Sequence, residues 1–166
     1  MSLRVMQFIA IVLTALALVP AGAHLFELPG KIGLTRGEYF VVQEIYRGWA
    51  LFGFVLVAAI AANLILTVIL HGRGLHFTLA CAAFLLVTAT LAVFFAGAFP
   101  ANQETQNWTV MPGDWRDRRS QWEYSHAINA VLTFAAVCAL VPEAVLPQNS
   151  LGRRPGRAEP GIAEVE

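Results

Sequence analysis

Four long apolar runs dominate the chain: roughly Leu3 to Ala23, Gly48 to Leu70, Leu75 to Phe99 and His126 to Leu146. Each approaches or exceeds the roughly 20 residues an α-helix needs to cross a hydrocarbon layer about 30 Å thick. Lipid cannot satisfy backbone N–H and C=O groups, so these runs must be helices. The composition agrees. Of 166 residues, 57% are hydrophobic and 13% charged, against a usual charged share of about 25%. A soluble domain this size cannot hide so much apolar surface. The expected fold is all-α, a four-helix transmembrane bundle with up-down-up-down topology over residues 1–146. A disordered tail is expected over residues 147–166, which are rich in Gly, Pro, Arg and Glu. Formal net charge is zero, so no basic field points to nucleic acid. Cys81 and Cys138 each sit alone in an apolar run and read as small core residues.

The start of the chain has two readings. Arg4, an apolar stretch and Ala21-Gly22-Ala23 resemble a cleavable leader. Against that, Gln7, Ala10, Thr14, Ala17, Ala21 and His24 recur at alternating spacings of three and four. Such a seam of small and polar side chains belongs to a helix packed on other helices, so the segment is expected to stay. Pro20 is expected to bend this helix and Leu28-Pro29-Gly30 to end it. Thr35 to Glu38 has the form of a capping box, opening a helix expected to run through Glu44 and Arg47 into the second span. In that span Asn63 and Thr67 face inward. A Gly-rich turn from His71 to His76 makes the second and third spans antiparallel neighbours, and the two histidines read as a solvated cap. Thr88, Ala92 and Ala96 form a close-contact stripe on the third span, and Pro100 ends it.

The basic residues divide almost evenly between the two faces, so the positive-inside count is close to a tie. The leader-like start favours both termini in the cytoplasm, in a plasma (inner) membrane. Small-residue stripes would also permit a homodimer.

The stretch Asn102 to Asn129 stands apart from its apolar surroundings. It carries Trp108, Trp115 and Trp122, with Arg116, Arg118, Arg119 and His126. The first span ends in His24-Leu-Phe-Glu27 and the fourth begins with Glu123-Tyr-Ser-His126; spacing of three puts each pair on one helical face. Trp122, His126, Asn129, Thr133, Ala136 and Leu140 repeat the three-four alternation of the first span. Antiparallel packing then sets His24 and His126 at similar depth near the face opposite the termini. Ionisable groups on inward seams are costly away from water and so point to function.

Four uses compete. His24, Glu27, Glu123 and His126 could ligate iron or manganese, with Glu44 and Glu104 as further carboxylates. His24 and His126 could be axial ligands of a haem. A metal-free pocket could use His24 or His126 as base, Arg119 or Arg47 to hold an anionic oxygen, and Trp108, Trp115, Trp122 and Asn129 to bind a flat substrate. Or Glu123 and Glu27 only pair with Arg119 and Arg47, while the tryptophans form an interfacial belt.

The segments HLFELPGKIGL, VQEIYRGWALFG and NQETQNWTVMPGDWRDRRSQWEYSHAINA resemble the anthrone-oxygenase-like family of small four-helix membrane proteins, a domain-of-unknown-function family. The likeness covers roughly residues 1–146. It implies the four-helix architecture and, from the family's named activity, oxidation of a polycyclic aromatic by dioxygen. The expected function is therefore an oxygenase-like oxidoreductase acting on a hydrophobic aromatic molecule from the bilayer. The alternative is a non-enzymatic membrane subunit or small-solute-binding protein that docks a partner through its polar loop.

Overall fold

Two long helices, one at each end of the sequence, set the frame of the computed structural model, which describes residues 2–147. The expected tail lies outside the described residues from position 148 onward. Helix α1 spans Leu3–Lys31 and α2 spans Arg36–Gln43. Helix α3 spans Phe52–Ile69, α4 Leu75–Val93, α5 Phe99–Glu104 and α6 Trp115–Val145. A π turn at Phe94–Ala98 joins α4 to α5, giving one 30-residue rod. Four helical segments are long and apolar enough to span a membrane, and the chain is a multi-pass integral membrane protein with an all-α fold. Around the bundle α1 packs on α6 and α3, and α4 packs on α3 and α6. Outward side chains such as Phe8, Val19, Phe54, Val57 and Val68 are more than half exposed and contact the bilayer.

The seam expected on α1 holds. Gln7, Ala10, Thr14, Ala17 and His24 are buried, and Ala21 is partly so. On α6, Trp122, Asn129, Thr133, Ala136 and Leu140 are buried, with His126 partly buried among them. Gln7 meets Glu143 at one end of the two helices and His24 meets His126 at the other, so α1 and α6 run antiparallel. On α3, Asn63 is fully buried and donates to Thr14 Oγ1 at 2.9 Å and to the Ala59 carbonyl at 2.8 Å. That bond ties α3 to α1 deep in the span. Between the two ends lies an apolar core that includes Met6, Ala10, Leu66, Val87 and Leu140.

Several local expectations change. Pro29 and Gly30 do not end α1, which runs on to Lys31. The helix from Arg36 does not run into the second span. It stops at Gln43, a single 3₁₀ turn follows, and Gly48 takes φ +90°, a left-handed conformation that breaks the helix. The fourth span starts not at His126 but at Trp115, so half of the polar stretch is helical. The Thr88-Ala92-Ala96 stripe is overturned because Ala92 and Ala96 face outward. A strict four-residue step drifts about 40° around a 3.6-residue helix each time. The inward line is instead Ala80, Ala83, Val87 and Thr90, continued by Gly97, Ala98 and Ala101 beyond the π turn.

Pro100 does not end the third span either. Its missing N–H and its ring exclude an ordinary helical bond one turn back, and the widened turn just before it absorbs the misfit. Gly97 lies in that turn. A Cβ there would collide with Ser125 Oγ and come within 3.0 Å of Ser125 Cβ, so the glycine is what lets α6 approach.

The His71–His76 turn is not a simple solvated cap. His71 is exposed, but His76 Nδ1 lies 3.3 Å from Glu143 Oε1, and Glu143 is fully buried.

Candidate functional site

At the end of the bundle opposite the termini, α1, α6 and the connection after α1 converge. The two imidazoles meet there, with ring centroids of His24 and His126 4.3 Å apart and planes inclined by 32°. Around His24 stand Tyr46 at 4.5 Å, Trp122 at 4.8 Å and Trp49 at 5.5 Å. Trp122 also lies edge-on to His126 at 4.3 Å. Both histidines are thus enclosed by aromatic rings, and His24 is 4% exposed.

The charged centre of this cluster is Lys31, which is 4% exposed. Its ammonium lies 3.2 Å from Glu123 Oε1 and 3.3 Å from Glu27 Oε2, and it donates to the Tyr46 hydroxyl at 2.6 Å. It also stands 4.6 Å from the Tyr46 ring centroid and 5.3 Å from that of Trp122. Tyr46 donates its hydroxyl proton to Glu27, and Tyr39 donates to Glu123 Oε1 at 2.9 Å. Burial and the acceptor carboxylates push both phenols well above the usual tyrosine range, so both remain donors at any ordinary pH.

The connection is held by local bonds. The Glu38 carboxylate accepts from Thr35 N–H at 2.9 Å and from its hydroxyl at 2.6 Å, which lowers the Glu38 pKa and fixes the start of α2. On the far side, Gln106, Asn107 and Trp108 all adopt left-handed backbone, with φ of 48°, 56° and 64°. Such geometry costs about 1–2 kcal/mol per non-glycine residue. Trp108 offsets part of this: its backbone N–H donates to Thr105 Oγ1 at 3.1 Å and its indole to Asn102 Oδ1 at 3.2 Å. The result sets Trp108 edge-on to Tyr39 at 5.1 Å and to Trp122 at 5.9 Å.

The expected residues are therefore placed unequally. His24, Glu27, Glu123, His126 and Trp122 come together. Trp108 forms the next layer, and Asn129 is buried one helical turn further in. Trp115 stacks near Tyr39 and Arg119, away from the histidines. Arg47 is exposed on the connection and makes no ion pair among the described residues. The pairings expected of Arg119 and Arg47 are replaced by Lys31, which holds both Glu123 and Glu27. The belt reading of the tryptophans is also overturned: Trp108, Trp115 and Trp122 are 7%, 8% and 4% exposed, where belt residues would face lipid.

The metal expectation meets occupied donors. Lys31 already sits between the two carboxylates, as a built-in cation. Glu44 is exposed, and Glu104 pairs with Arg118 at 2.6 Å. Among the described residues no group of three or more His, Cys, Asp or Glu is arranged to hold an ion. The haem reading fails on distance, since rings this close leave no room for a macrocycle between them.

Lys31, Tyr39, Tyr46 and Trp49 were missed in the sequence. Lys31 was legible. It lies four residues after Glu27 and seven after His24, continuing the α1 seam past Pro29. Tyr39, Tyr46 and Trp49 depend on how the connection folds back, which no periodicity records.

Several buried polar atoms of this region have no protein partner: His24 Nδ1, Gln43 Nε2, Arg119 Nε, Trp122 Nε1, Glu123 Oε2 and Asn129 Oδ1. An unmet buried group costs about 1–3 kcal/mol. A cavity of about 660 Å³ lies at the other end, beside Arg4, Gln7 and Leu146. An apolar crevice of about 300 Å³ lies nearer, lined by Leu25, Tyr124, Ala127, Ile128, Val131 and Leu132. No family model, no curated protein and no solved structure matches the chain.

Proposed function

We propose that the protein is a membrane-embedded oxidoreductase that takes an enolisable polycyclic aromatic ketone from the bilayer and directs its oxidation by dioxygen. The observation that carries this reading is the pair of imidazoles in tilted contact inside an aromatic sheath, with a buried ammonium on the same cluster. The reaction class follows the resemblance to the anthrone-oxygenase-like proteins.

Each element has a chemical use. An imidazole nitrogen without a partner, as on His24, accepts the proton from the carbon opposite the ketone. The second imidazole packs against the first. Lys31 balances the charge of Glu27 and Glu123 beside the imidazoles. The electron-rich enolate then reacts with dioxygen. Overall the ring methylene loses two hydrogens and gains one oxygen atom, and the second oxygen leaves as water. Tyr46 and Trp49, only partly buried, offer aromatic surface to a flat substrate.

In an oxygen electrode, detergent-purified protein is expected to consume one dioxygen per anthrone converted to quinone. His24→Ala and His126→Ala are expected to lower turnover by about 100-fold or more, the usual scale for losing a general base, while melting remains cooperative. Equal turnover in the wild type and both folded variants, or none above buffer in the wild type, would refute the reading.

A further inference from the structure

Among the described residues Arg119 is a buried cation without an anion. It is 9% exposed, and its guanidinium lies 4.8 Å from the Trp115 ring centroid and 5.5 Å from that of Tyr39. Its one hydrogen bond runs from Nη1 to the Leu34 carbonyl at 2.8 Å, and Nε is buried with no partner. The neighbouring carboxylates are committed elsewhere. Glu123 serves Lys31 and Tyr39, while Glu104 and Asp114 serve Arg118. Among the described residues no carboxylate lies within ion-pair distance of Arg119.

A guanidinium does not shed its proton in a protein, so titration cannot relieve this burial. Aromatic faces offset only part of the cost of withdrawing a charge from water. The geometry of what is left free is specific. One arm of the fork is tied to Leu34, and the edge formed by Nε and Nη2 makes no hydrogen bond. That edge is the side of arginine that grips a planar oxyanion through two parallel bonds. Arg116 also stands near Trp115, 5.6 Å from its ring centroid.

We propose that Arg119 is an oxyanion-recognition site. It takes the carboxylate or phosphate of an amphipathic molecule through the Nε–Nη2 edge. The inference does not depend on the oxidation proposed above, because it concerns binding alone. The anion has two possible sources, an aromatic acid or the headgroup of an acidic lipid.

The test uses the full chain in nanodiscs of phosphatidylcholine, titrated with naphthoate and with its methyl ester while tryptophan fluorescence is read. Naphthoate is expected to bind at least about tenfold tighter than the ester, the scale of one charge-assisted bidentate contact. Arg119→Gln is expected to abolish that preference and Arg119→Lys to lose most of it, since an ammonium cannot form the fork. His24→Ala should leave the preference intact, which separates this site from the proposed base. Repeating the titration in phosphatidylglycerol nanodiscs distinguishes the sources. Competition assigns the lipid headgroup, and unchanged affinity assigns the small acid. Equal affinity of acid and ester in the wild type, or a preference that survives in Arg119→Gln, would overturn the proposal. The wild-type comparison decides even if the glutamine variant fails to fold.

Discussion

Replacing Lys31 with methionine is expected to destabilise the protein by about 3–5 kcal/mol, the cost of removing one partner from a buried ion pair. The reason lies in what is left behind. Glu123 is fully buried, and without the ammonium at 3.2 Å it keeps only the Tyr39 hydroxyl. Glu27 matters less, because its side chain is 37% exposed and water can take over. The double variant Lys31→Met with Glu123→Gln should recover most of the loss, since it removes the stranded charge as well as its partner. Unfolding in mixed micelles of increasing denaturing detergent measures both. A single variant as stable as the wild type would mean that the cluster is not ionic.

Trp122→Ala is expected to cost a similar amount, about 3–5 kcal/mol, as large-to-small changes of buried aromatics do. Its ring is the common wall of the site, with centroids of His126, His24, Tyr46 and Trp108 at 4.3, 4.8, 5.6 and 5.9 Å. Removing it leaves both imidazoles without their edge contact and opens the space beneath the strained Trp108 turn. Trp122→Phe should cost under about 1.5 kcal/mol, because most ring contacts survive and the indole N–H has no partner to lose. The same unfolding measurement separates them. If phenylalanine were as damaging as alanine, the indole N–H rather than the ring would be the stabilising group.

The legible part of this architecture is the part governed by helix periodicity. The α1 and α6 seams could be read residue by residue, because an inward position repeats at three and four, and they led to His24, His126, Asn129 and Thr133. The same rule extends further than it was applied. On α6 it continues outward through Arg119 to Trp115 and inward to Glu143, and on α1 it continues past Pro29 to Lys31. Treating Pro29-Gly30 as a stop hid the cation that organises the site. A proline there removes one donor but does not forbid the helix, whose last turn still closes through Ile32 N–H to the Leu28 carbonyl. The rest was not legible for a different reason. Tyr46 and Trp49 reach His24, and Tyr39 reaches Glu123, through the irregular connection after α1, and Trp108 reaches Trp122 through three left-handed residues. Side chains placed by irregular backbone carry no repeat.

The most direct measurement is magic-angle-spinning NMR of the protein in lipid, labelled with ¹³C only on histidine. Ring centroids 4.3 Å apart should give a strong ring-to-ring cross-peak that disappears in His24→Ala and in His126→Ala but persists in His76→Ala. Absence of that cross-peak, with one of the two rings instead showing contacts to acyl-chain protons, would contradict the shared imidazole centre on which the proposed chemistry depends.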